Sequence, residues 1–286
     1  MAYISRYITT EGIRLSVAVT TDVVETAKQR HDLYPIAAAA LGRAMTGAAL
    51  LAVDYKNNES VSIRIKGNGP LGGIYADAYN GGLLRGYVDA PHVLLPLKNG
   101  KLDVGGAVGE GEITVTRFSN MKTPYTSQAK LVSGEIAEDL AYYLYMSEQT
   151  ASTLSLGVLV SPDFHILAAG GFYAQALPDA DEAALAKVEE NIASVGSVTS
   201  YLSNHPQAEM LAETILQGLD YKLLTTSPLQ FACTCSREKI ENTLLSLNQQ
   251  DREDLLQEKE VELVCHYCNE KYKVSQEELK TLFHNE

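Results

Sequence analysis

The chain has 286 residues, 45% hydrophobic and 21% charged, which is enough to bury a sizeable core in one large domain or two to three smaller ones. Its net charge of −13 is concentrated in the last two-fifths of the sequence, while residues 1–176 are close to neutral. Such an acidic surface repels phosphate backbones and argues against a nucleic-acid partner, and the longest apolar run falls short of the roughly 20 residues a membrane span needs.

The opening MAYISRYITTEG has neither the apolar stretch nor the cleavage site of a secretory signal, so the expectation is a cytosolic protein with reduced thiols. Alternation over 3–9 and 13–20, around the turn Thr10-Glu11-Gly12, predicts a hairpin. A polar helix over 22–31 follows. Pro35 then opens an alanine-rich helix that runs to residue 53, read as the buried centre of the fold. Strands at 61–66, 73–78 and 83–88 form a meander, with Asn80-Gly81-Gly82 as its tight turn. A second hairpin is expected at 112–118 and 126–132, an amphipathic helix at 135–148, and a strand pair at 154–160 and 165–175 around Ser161-Pro162-Asp163. Antiparallel strands with a few inserted helices indicate an α+β core domain over 1–177.

From Pro178 the pattern becomes helical and acidic. Leu185, Val188, Ile192 and Val195 lie on one face of a helix over 181–195, and Met210, Leu211, Ile215 and Leu216 stripe another over 207–219. Breaks at Gly196, Asn204-His205-Pro206 and Gly218 leave stripes that pack weakly on a neighbour, so on helical pattern alone 178–230 reads as two ordinary packed surface helices. Residues 231–286 form a third unit: a Cys233-Thr234-Cys235 turn, a helix capped by Ser236, a short helix over 251–257, a hairpin of 260–264 with 270–274, and a final helix begun by the Ser275/Glu278 capping box. A segment this short with few large apolar side chains needs a metal or disulfides to hold its fold.

All four cysteines lie in that unit, spaced C-x-C, twenty-nine residues, then C-x-x-C. Two close pairs of sulfurs converging on one point suit a tetrahedral zinc ion, with Cys233, Cys235, Cys265 and Cys268 as ligands and His266 as a neighbour. Zinc-held thiolates are also nucleophilic, so an oxidant that reaches them can form disulfides and expel the metal. Gly67-x-Gly69-x-x-Gly72 leads into a strand, not a helix, and is not a dinucleotide fingerprint. Scattered histidines and serines form no catalytic motif, so no enzyme activity is expected.

The cysteine pattern at the end of a chain of this length resembles the thirty-three-kilodalton heat-shock protein family of redox-regulated holdase chaperones. Similar segments include His31-Asp32-Leu33-Tyr34-Pro35 before Ala40-Leu41-Gly42-Arg43, Gly67 to Gly72, Gly157-Val158-Leu159-Val160, and Cys265-His266-Tyr267-Cys268-Asn269-Glu270-Lys271-Tyr272. The resemblance implies a metastable linker at 178–230, dimerisation on activation, and ATP-independent holding of unfolding proteins under oxidative stress. On that reading Cys265–Cys268 is the first disulfide to form, because the C-x-x-C ring closes with less strain, and Cys233–Cys235 is the second. Leu185, Val188, Ile192, Met210, Leu211 and Ile215 are then the candidate client contacts. Two other readings stay open: a zinc-ribbon module that recruits nucleic acid or a protein, and a thiol oxidoreductase using C-x-x-C.

Overall fold

The computed structural model describes residues 1–55, 59–119, 123–148 and 152–284. They cluster into two compact units, Met1–Phe231 and Ala232–Glu286.

In the first unit, β1 (Tyr3–Thr9) and β2 (Ile13–Val19) form the expected hairpin. Helix α1 (Thr21–His31) ends where Asp32 takes a left-handed conformation, and Pro35 begins α2 (Pro35–Ala52). A meander of β3 (Ser60–Gly67), β4 (Gly73–Tyr79) and β5 (Leu83–Val88) leads to the one-turn helix α3 (Val104–Val108). Then come the hairpin β6 (Gly111–Phe118) and β7 (Tyr125–Lys130), helix α4 (Ala137–Glu148), and the paired strands β8 (Ser152–Val160) and β9 (Ile166–Ala176).

Helix α2 is the axis of this unit. It is long and apolar enough to cross a membrane by length and composition, but 89% of it is buried inside the protein. Its alanines keep it slim, so strands of two sheets close on it together, and a single core surrounds it. One sheet has the order β10-β1-β2-β9-β8 and the other β11-β5-β4-β3-β6-β7, where β10 (Tyr221–Pro228) and β11 (Gln230–Phe231) come from the end of the unit. The rejected glycine motif lies between β3 and β4. A Cβ on Gly67 or Gly69 would run into the carbonyls of Val108 and Ala107, so these glycines permit close backbone packing.

Residues 178–230 are not helical throughout. They contain α5 (Glu182–Val195), α6 (Val198–Asn204) and α7 (Ala208–Ile215), then the edge strand β10, which pairs with β1. Strand β2 explains why the helices are needed. Ala18 faces α2, whereas Ile13, Leu15, Val17 and Val19 face the other way, into a second core made with α5–α7. One face of that strand is therefore wholly apolar, the other carries Arg14, Ser16 and Ala18, and both are largely covered.

The second unit holds α8 (Arg237–Leu245), α9 (Gln249–Leu255), the hairpin β12 (Glu260–Val264) and β13 (Lys271–Ser275), and α10 (Gln276–His284). Its core is small: among the described residues only Leu244, Val274 and Leu279 are fully buried apolar members, with partly buried leucines, Val261 and Phe283 around them.

Candidate metal centre

Two local structures present the sulfurs. The first is the chain between β11 and α8. Ser236 caps α8 by accepting from Lys239 N, and Lys239 Nζ donates to the Thr234 carbonyl at 2.6 Å, which fixes the turn carrying Cys233 and Cys235. The second is the knuckle between β12 and β13. Cys265 N donates to Glu270 O at 2.9 Å, Asn269 N donates to Cys265 O at 2.8 Å, and Asn269 adopts the left-handed φ of 58° that closes the turn.

The four Sγ atoms lie within 4.8 Å of one another, and all four residues are thiols rather than disulfides. Cys233 approaches Cys265 at 3.8 Å and Cys235 approaches Cys268 at 3.4 Å. A tetrahedral ion with sulfur ligands at about 2.3 Å has S···S edges of about 3.8 Å. The cluster is therefore close to the size such an ion requires. His266 does not belong to the group.

Electrostatics point the same way. Burial pushes the Cys265 and Cys268 thiols up, Cys268 furthest; neighbouring sulfurs add to the effect at Cys268, while at Cys265 the hydrogen bond with Cys268 works against it. The N–H groups of Tyr267 and Glu270 oppose it by hydrogen bonding to Cys265 and Cys268 respectively. Four sulfurs this close cannot all be thiolates without a cation among them, and the site can hold a metal ion. Tyr272 on β13 completes the surroundings by donating its hydroxyl to Cys235 Sγ at 3.1 Å.

The apolar residues singled out in 178–230 lie elsewhere, in the second core of the first unit. Val188, Leu211 and Ile215 are buried there, Leu185 and Ile192 pack against them, and Met210 is 38% exposed. Apart from Met210 the stripes are occupied, that of α7 against β1 and β2 and that of α5 against α7. Tyr272 was missed in the sequence because its position depends on strand register. The only available signal was a hydroxyl four residues past Cys268 on an alternating strand.

Fold and site together define an α+β protein with a two-sheet unit followed by a small four-thiol module able to bind a metal ion. The chain belongs to the Hsp33 family, whose model, described as Hsp33 protein, matches residues 2–275. The 33 kDa chaperonin of Symbiobacterium thermophilum is 46% identical over 281 residues, covering 97% of this chain and 95% of the relative. That of Bacillus velezensis is 40% identical, covering 99% and 98%. The crystal structure of the heat shock protein 33 homolog from Thermotoga maritima superposes with a TM-score of 0.93 at 38% identity, covering 99% of this chain and 98% of that one. The protein is thus a member of a chaperone family.

Proposed function

We propose that this chaperone is an ATP-independent holdase of the cytoplasm, kept inactive while Cys233, Cys235, Cys265 and Cys268 bind zinc and activated when they are oxidised. The observation that carries the reading is the four-sulfur cluster at tetrahedral spacing in a unit with a very small apolar core. Zinc, when bound, offsets half of the charge of the four thiolates and supplies roughly 10–16 kcal/mol of folding free energy.

The chain's own chemistry is balanced as follows. Two thiolates, one peroxide molecule and two protons yield one disulfide and two waters, and each disulfide formed removes two ligands. The pairs Cys265–Cys268 and Cys233–Cys235 stay close through the chain even after the module loosens, which favours pairing within each motif. With Ala232–Glu286 unfolded, the chain leaving β11 loses its anchor, and α5–α7 with β10 can separate from the sheet they cover. Leu185, Val188, Ile192, Met210, Leu211 and Ile215 then become available to unfolding clients, and so does the apolar face of β2. The same freed surface supports a homodimer of the oxidised form.

The reading as a thiol oxidoreductase gains no support, because C-x-x-C sits in a hairpin knuckle and not at the start of a helix. Net negative charge in 231–286 speaks against a nucleic-acid partner. The deciding experiment follows zinc release and light scattering of a thermally unfolding client together during peroxide treatment. Suppression of scattering that rises in step with zinc release is the expected result. Full suppression by the reduced, zinc-loaded protein would overturn the redox switch.

A further inference from the structure

We infer that Tyr272 is a positioning residue for Cys235: its hydroxyl holds that sulfur in the cluster and shields it from oxidants until the β12–β13 hairpin is disturbed. The inference rests on the metal-centre reading above and adds a residue to it.

The donors to the sulfurs are of two kinds. Cys265 and Cys268 receive backbone N–H groups from Tyr267 and Glu270, which belong to the knuckle itself. Cys235 receives a side-chain hydroxyl from a residue 37 positions away, at 3.1 Å. The register of the hairpin sets that ring in place. Tyr272 pairs with Leu263 on the face that carries buried Val274, while Lys271 and Lys273 turn outward to Glu262 and Glu260. The phenol therefore reaches Cys235 only while β13 is in register with β12.

Four thiolates around a divalent cation leave excess negative charge on sulfur, and a hydrogen-bond donor withdraws part of it. The sulfur so bonded is a better-retained ligand and a weaker nucleophile toward peroxide. Backbone donors persist as long as the knuckle does, but a side-chain donor departs when its strand shifts. Disulfide formation between Cys265 and Cys268, which flank the turn, would disturb the hairpin, withdraw the Tyr272 hydroxyl and expose Cys235 to the second oxidation. Each of the two steps consumes one peroxide, two thiolates and two protons and releases two waters. Tyr272 thus imposes an order on the two steps.

The test uses the full-length chain with Tyr272→Phe, which keeps the ring and removes only the donor, and Tyr272→Trp, which keeps a donor. Zinc affinity is measured by competition with a chelator, the thiolate-to-cobalt charge-transfer band in the cobalt-substituted protein, and the peroxide reaction of each cysteine by mass-spectrometric labelling. For Tyr272→Phe, zinc binding should weaken roughly 10-fold, the band should shift to the red, and Cys235 should react several-fold faster while the first step at Cys265 and Cys268 keeps its rate. An unchanged band and an unchanged Cys235 rate in a normally loaded variant overturn the inference. If Tyr272→Phe takes up no metal, retention of metal by Tyr272→Trp upholds the hydrogen bond, and failure of both rejects it in favour of ring packing. Wild-type protein that takes up no metal sinks the metal centre together with this inference, whereas normal wild-type loading with indistinguishable variants sinks the inference alone.

Discussion

A buried carboxylate is costly unless donors fill its oxygens, and Asp139 fills them from the chain just before its own helix. Its Oδ1 accepts from the N–H groups of Val132, Ser133 and Gly134 at 2.7, 3.0 and 3.2 Å, and its Oδ2 from Ile136 at 2.8 Å. That grip holds Ile136 at a φ of 71°, a conformation branched side chains rarely adopt, and delays the start of α4 to Ala137, two residues past the expected 135. Asp139→Ala strands these donors, so urea unfolding should show a loss of about 3–5 kcal/mol, with Asp139→Asn losing less. Tyr173 tests burial through pH. Burial pushes its hydroxyl up to about 12, above the unfolded value near 10. The folded state therefore holds the proton longer than the unfolded state. The associated stability is complete below pH ~10 and is lost as pH rises toward 12. Tyr173→Phe should flatten the alkaline limb of the stability–pH curve and leave its acid limb unchanged, and an unaltered alkaline limb would remove Tyr173 from the account.

The elements differ in how they are held. Helix α7 is short, and its place depends on Leu211, Ala212 and Ile215, all fully buried against the sheet. Leu211→Ala should cost about 2–4 kcal/mol. Under the proposed mechanism it should also raise dye binding by the reduced protein, because α5–α7 would be less firmly seated. Equal dye binding by wild type and variant at equal loss of stability would detach these helices from the switch. The same contrast governs what could be read from sequence. β1 and β2, the meander β3–β5 and helix α2 were legible because period-two alternation, Asn80-Gly81-Gly82 and Pro35 are local signals. β10 was not: its Tyr221, Leu223 and Leu224 are largely exposed on an edge strand with a register shift, so no alternation marks it, and α6 and α3 are too short for a helical period. The cysteines were legible as a group from spacing alone, whereas the Tyr272 hydroxyl reached Cys235 only through a pairing 37 positions apart. The stripes on α5 and α7 were visible, but not that α7 seats its stripe on β1 and β2 while α5 packs on α7, since those contacts join residues far apart in the chain.

The two units of the molecule differ in the apolar core each buries, and under the proposed mechanism that difference lets one fail without the other. Met1–Phe231 has two extensive apolar cores and no cysteine; Ala232–Glu286 has all four cysteines and, among the described residues, a core centred on Leu244, Val274 and Leu279. Cys268→Ser leaves three thiolates, so under the proposed zinc reading metal binding should fall severely and the second unit should lose its fold without any oxidant. Hydrogen exchange is expected to rise throughout 232–286 while α2, β2 and β9 stay protected, and limited proteolysis should cut within 178–286 and spare the rest. If α5–α7 and β10 depend on the second unit through the chain that joins them, their protection should fall as well, uncovering Ile13, Leu15, Val17 and Phe172 on the sheet beneath. The reduced variant should then suppress aggregation of an unfolding client that reduced wild type does not protect. A variant that has lost zinc and the fold of 232–286, yet retains full protection in α5–α7 and leaves client scattering unchanged, would show that the two units are independent. In that case metal loss would be mere damage, and the apolar surface beneath the helices would have to be released by some other event.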